Sequence, residues 1–158
     1  MKNPPEGWNR ITPSLFYADA AKAIDWLCDA FGFEVQLKVE GNKGEIMHSE
    51  LVLGGGMIMV GQAGRRPKCA SPKQVDGQNT QSIMIFVDDV DAHCAHARSK
   101  GATIVNGPEV HDYGDEWWSD RTYEAMDLEG HRWWVVQRMR SPKAPPPKYA
   151  KHDEKDHD

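Results

Sequence analysis

The chain has 158 residues, 39% of them hydrophobic and 27% charged, and a formal net charge of −5; it can bury the core of one compact domain and is too acidic to track a phosphate backbone, so no nucleic-acid partner is expected. No apolar run reaches the length of a membrane span, and Met1 to Asn9 lacks the apolar centre of a secretory leader, so no membrane partner and a cytoplasmic location are expected. Cys28, Cys69 and Cys94 show no CxxC spacing and are expected to remain reduced thiols.

In chain order, Ile11 to Val35 reads as an alternating apolar strand, an aspartate, an amphipathic helix, a glycine and a second strand. Asp19 is placed to cap the helix, Gly32 to end it, and Ala20, Ile24, Leu27 and Phe31 to form its buried stripe. EIMHSELVLGGGMIMVGQ then has the pattern of a hairpin. Residues 63–80 are turn-rich and aperiodic and read as a linker; they contain the chain's only basic run, Arg65, Arg66 and Lys68, read here as a solvated loop.

Ser82 to Val105 repeats the first pattern about seventy residues later, with Asp88 or Asp89 as the cap, Val90, Cys94 and Ala97 as the stripe and Gly101 as the stop. RTYEAMDLEGHRWWVVQ supplies the second hairpin. The repeat predicts an α+β fold of two βαβββ modules, at 8–62 and 81–138, forming a curved mixed sheet around a cavity, because one helix cannot cover both faces of its sheet. Residues 139–158 are proline-rich and then highly charged and are expected to be a disordered tail, with His152 and His157 as solvated residues in it.

The doubled unit, with Asp19 to Gly32 and Asp89 to Gly101 framing the helices, and the stretch YGDEWWSDRTYEAMDLEGHRWWVVQ resemble the vicinal oxygen chelate superfamily, which includes glyoxalase I, bleomycin-resistance proteins and extradiol dioxygenases. Asp127 to Trp133 resembles the D-P-x-G-H-x-W turn of the small bacterial glyoxalase-like and bleomycin-resistance-like members, with Leu128 where proline is frequent. By that resemblance the positions that hold a divalent metal in related enzymes fall on Thr12, Met59, Ser82 and Trp134. Hydroxyls, a thioether and an indole are poor donors for zinc, nickel or iron, so no cofactor is expected. A relocated set, His48, Glu50 and His111, is the alternative; His48 and Glu50 are otherwise read as solvent-facing residues of a half-exposed strand.

Period-two alternation sets Thr12, Ser14 and Phe16 on one face of the first strand and Ser82, Met84 and Phe86 on one face of its repeat, and the resemblance makes these the cavity faces, joined by Met59 and Trp134. Ile11, Leu15, Ile83, Ile85 and Val87 are expected under the helices. Trp117 and Trp118, in the polar loop DYGDEWWSD, either anchor that loop or reach over the cavity as a lid; Asp112, Asp115 and Asp120 are read as a solvated acidic loop, with receipt of a cationic ligand group as the alternative. The expected function is capture of a hydrophobic or aromatic small molecule in a metal-free cavity, as in drug sequestration, with no catalytic residue; the alternative is a metal-dependent lyase, isomerase or dioxygenase of glyoxalase type. The resemblance also implies a homodimer in which modules of two chains complete each cavity.

Overall fold

The structure is a computed structural model that describes residues 1–151; the readings for His152 and His157 fall outside the described residues. The first module runs β1 (Ser14–Tyr17), α1 (Ala20–Phe31), β2 (Glu34–Glu40), β3 (Ile46–Leu53) and β4 (Gly56–Gln62). The second runs β5 (Ser82–Phe86), α2 (Val90–Ser99), β6 (Thr103–Asp112), β7 (Ser119–Met126) and β8 (Arg132–Arg140). Each forms a four-stranded mixed sheet, ordered β1-β4-β3-β2 and β5-β8-β7-β6, with its first strand parallel to its last. The last strand continues to Arg140, beyond the expected module end. No helix is long and apolar enough to cross a membrane, among the described residues.

The helix signals act as read. Asp19 accepts from the Lys22 amide at 3.1 Å, and Gly32 closes α1 at φ 83°, a left-handed conformation that a side chain would strain. Asp89, the second of the two candidates, caps α2 through the Ala92 amide at 3.0 Å. Ala20, Ile24, Leu27 and Phe31 of α1 and Val90, Cys94 and Ala97 of α2 are all buried.

Both helices share one core with the inner faces of the two sheets. Trp133 is fully buried, with Phe31 and Phe33 edge-on to it at 5.1 and 5.8 Å between centroids. Leu15 and Ile85 are buried, and Ile83 and Val87 pack partly buried against the core, as expected. Ile11 is not: it is 81% exposed, because β1 begins only at Ser14, after Pro13.

A buried polar network ties the modules together. The Asp127 carboxylate accepts from Tyr17 Oη at 2.6 Å, Trp133 Nε1 at 3.0 Å and the amides of Glu129 and His131, both at 3.0 Å. Glu129 accepts from the amides of Ala18 and Asp19 and from Ser71 Oγ, which brings the linker into the core beside a short 3-10 turn at Pro72–Gln74. Burial works against the Glu129 charge, but these donors, Ser71 first, hold its carboxyl below the usual range. His131 is buried here, its Nε2 2.7 Å from the Phe16 carbonyl.

Inside the chain β1 and β5 do not pair with each other. Each ends its sheet, so, among the described residues, both sheets keep an open edge and an outer face that neither α1 nor α2 covers.

Candidate functional site

Along β1 and β4, the alternation that buries Leu15, Tyr17, Ile58 and Val60 sends Ser14, Phe16 and Met59 to the outer face. Ser14 lies opposite Met59 and Phe16 opposite Gly61. A methyl group on Gly61 would come within 3.2 Å of the Phe16 ring, so the bare backbone is what lets that ring lie across β4. These residues, with His48, Met47, Arg65 and Arg66, line a hollow of about 190 Å³. Thr12 precedes the strand, and its Oγ1 is buried without a hydrogen-bond partner among the described residues.

Glu50 departs from the expected solvent-facing position, whereas His48 beside it stays partly exposed. Glu50 is only 4% exposed: its carboxylate meets His48 Nε2 at 2.9 Å and accepts from Gln36 Nε2 at 2.9 Å. Gln36 also donates to the Gly7 carbonyl, and Trp8 stacks on His48 at 6.3 Å, so the N-terminal segment covers the pair. The hydrogen bonds from His48 and then Gln36 hold the Glu50 carboxyl below its ordinary range, against the effect of burial. Sequence alternation placed both residues on one face; the segment that covers them is remote in the chain and gave no signal.

In the second module, Met84 lies opposite Trp134 and Ser82 opposite Arg132. Met84 and Phe86 are 56% and 53% exposed, and Trp134 is half-buried. Beside them sit two ion pairs, Arg132 with Glu124 at 2.5 Å and Arg138 with Asp120 at 2.6 Å. The Arg138 guanidinium lies 5.6 Å from the ring centroids of both Phe86 and Trp118. The strand period puts all four charged residues on the face of Trp134, but which carboxylate meets which guanidinium follows from the β7–β8 register.

The loop between β6 and β7 is fastened at its base. Arg140 grips Asp112 through two nitrogens, at 3.0 and 2.6 Å, and with the Gly114 amide pulls the Asp112 carboxyl down to about 2. Trp118 rests on Tyr113 at 5.6 Å, and Trp117 stands edge-on to Trp118 at 5.8 Å. Asp112 and Asp120 thus already hold arginines.

The donor chemistry at Thr12, Met59, Ser82 and Trp134 does not fit a divalent transition metal. His48 and Glu50 meet in the first module, whereas His111 sits on β6 of the second, 3.5 Å from Glu109. No three His, Cys, Asp or Glu side chains converge in a metal-holding group among the described residues.

A further apolar cleft of about 780 Å³ opens between the modules, lined by Ile11, Phe31, Phe33, Leu53, Met57, Ile58, Met84 and Phe86 among others. Contacts between the modules create it, so neither repeat alone announces it.

Two βαβββ units whose outer faces carry aromatic, thioether and a few polar groups define a two-module chain of the kind built around a central cleft. The sequence profile of the Glyoxalase/Bleomycin resistance protein/Dioxygenase superfamily matches residues 8–135, and the chain belongs to that superfamily. The Mycobacterium tuberculosis H37Rv protein Rv0887c is 32% identical over 133 residues, 82% of this chain and 75% of its own length. The crystal structure of TioX from Micromonospora sp. ML1 is similar at 31% identity and a TM-score of 0.65, covering 84% of this chain and all of TioX. TnmS3, an antibiotic binding protein from Streptomyces sp. CB03234, shares the fold at 19% identity and a TM-score of 0.56, over 84% of this chain and 98% of its own.

Proposed function

We propose that this protein captures a hydrophobic or aromatic small molecule on its outer sheet faces, and that a second copy of the chain completes the cavity. The observation that carries the reading is the set of large side chains, Phe16, Met59, Met84, Phe86 and Trp134, carried on uncovered sheet faces beside a few polar groups. Stacking and burial against such a surface bind a flat molecule without acid, base or nucleophile. The antibiotic-binding role stated for TnmS3, on the same fold, agrees with capture.

The dimer rests on the open edges. β1 and β5, four and five residues long, each pair on one side only and leave the other edge open, and the side chains around them include the exposed Ile11, Met84 and Phe86. Pairing β1 of one copy with β5 of the other satisfies both edges and faces the two outer surfaces toward one cavity. A metal-dependent lyase, isomerase or dioxygenase is the second reading. The buried Glu50, oriented by the partly exposed His48, favours it, and it needs at least one further ligand there.

Titration with the uncharged fluorophore N-phenyl-1-naphthylamine tests capture: saturable binding is expected, weakened by about 1–3 kcal/mol in Trp134→Ala through lost ring burial. Unchanged affinity in a folded variant would remove Trp134 from the site. Near-stoichiometric nickel, zinc or iron in protein purified without chelators, together with turnover of the methylglyoxal–glutathione adduct, would favour the enzyme.

A further inference from the structure

The basic run Arg65, Arg66 and Lys68, which reads in the sequence as a solvated loop, does not all point away from the protein. Arg65 and Arg66 both line the hollow of the first module, beside Ser14, Phe16, His48 and Met59. Arg65 is held there by its own backbone contacts: Nη1 donates to the carbonyls of Ile46 and Met47 at 3.1 and 3.0 Å. Those contacts use one nitrogen and leave the rest of the guanidinium fork available.

Charge balance sets this hollow apart from the opposite module. On the second sheet each arginine beside Trp134 already has its carboxylate, Arg132 with Glu124 and Arg138 with Asp120. The lining of the first hollow contains two arginines and a histidine and neither an aspartate nor a glutamate. Glu50, the acid that meets the lining residue His48, has its two oxygens taken by His48 and Gln36. A chain with a net charge of −5 thus keeps a local excess of positive charge in a depression of mixed lining, where polar side chains sit beside Phe16 and Met59. Such a depression recognises an apolar body through Phe16 and Met59 and an oxyanion through the guanidinium fork.

We infer that the ligand of the first hollow is an organic anion: an aromatic or otherwise apolar body bearing a carboxylate, sulfonate or phosphate that Arg65 and Arg66 receive. This inference rests on the capture reading above and adds the charge class of the molecule captured.

The test compares two probes that differ by one anionic group, 8-anilinonaphthalene-1-sulfonate and the uncharged N-phenyl-1-naphthylamine, titrated by fluorescence at fixed salt into the full chain. Wild-type protein is expected to bind the sulfonate about tenfold more tightly, the scale of one well-placed charge-assisted contact. Arg66→Glu, at an exposed position where folding is least at risk, should erase that preference, read as the ratio of the two probe affinities. Arg65→Gln should reduce it in the same direction, and Lys22→Gln, on the far side of the module, should not change it. Equal affinities for the two probes in wild-type protein, or a preference that survives Arg66→Glu and Arg65→Gln combined, would overturn the inference while leaving capture intact. Binding of neither probe would overturn both.

Discussion

Asp127 carries a disproportionate share of the junction between the modules. Its buried carboxylate accepts four hydrogen bonds, and two of the donors, Tyr17 and Trp133, are fully buried rings that have no water to turn to. Asp127→Ala leaves both unsatisfied and is expected to cost about 2–6 kcal/mol, at roughly 1–3 kcal/mol per stranded polar group. Tyr17→Phe, which removes one donor and strands nothing larger than a carboxylate lone pair, is expected to cost about 1–2 kcal/mol. Urea unfolding followed by circular dichroism reads both, and equal losses would mean that the network is not organised around Asp127. The same network predicts an alkaline limit. Burial, and next the Asp127 charge, raises the Tyr17 phenol well above its ordinary range; burial likewise raises Tyr123. A phenol whose folded value lies above its unfolded value, near 10, stabilises the fold fully below that pH and progressively less as the pH rises past it. Spectrophotometric titration at about 295 nm should therefore show fewer than the chain's four tyrosines ionising while the fold persists, with Tyr17 and Tyr123 appearing only on unfolding.

At the level of elements, β4 shows how a local rule serves the site. Gly61 leaves the Phe16 ring room across the strand, and a methyl group there would sit 3.2 Å from that ring. Gly61→Leu places a branched side chain in a hollow of about 190 Å³, so probe affinity should fall about tenfold or more while the melting temperature moves little. A variant that binds normally would mean that the ligand sits elsewhere, the apolar cleft between the modules being the alternative. Caps, helix stripes and much of the inner face of each sheet were legible in the sequence because each follows from spacing within a single element: Asp19 with Gly32, Val90 with Cys94 and Ala97, Ile83 with Ile85 and Val87. What escaped reading depends on encounters between distant segments. Arg65 comes to rest against the carbonyls of Ile46 and Met47, Trp8 folds over His48, and Arg138 finds Asp120 through strand register. Ile11 failed for a different reason, since Pro13 delays the start of β1 and ends the alternation one step too soon.

For the whole molecule, the decisive question is what covers β1 and β5. Each is a sheet edge, and β5 presents Met84 and Phe86 at 56% and 53% exposure next to the cleft between the modules. Natural edge strands are kept from indiscriminate pairing by charge, proline or brevity; these are short, but the β5 sequence Ser82–Phe86 contains no charge and no proline. An edge of that composition suits a specific partner strand, and β1 of a second copy is likewise short and uncharged, four residues against five. If the dimer forms this way, Met84→Lys puts an ammonium group beside Trp134 at the joint between copies, where burying it unpaired costs several kcal/mol. Sedimentation equilibrium is expected to give a dimer for the wild-type chain and a monomer for Met84→Lys at the same concentration. Because both hollows would then lack their opposing wall, the variant should also lose probe binding in parallel with dissociation, although Arg65, Arg66 and Phe16 are untouched. A monomeric wild-type chain that binds the probe at full affinity would show that one module's outer face suffices as the site, and would leave the exposed β5 edge without the role assigned to it.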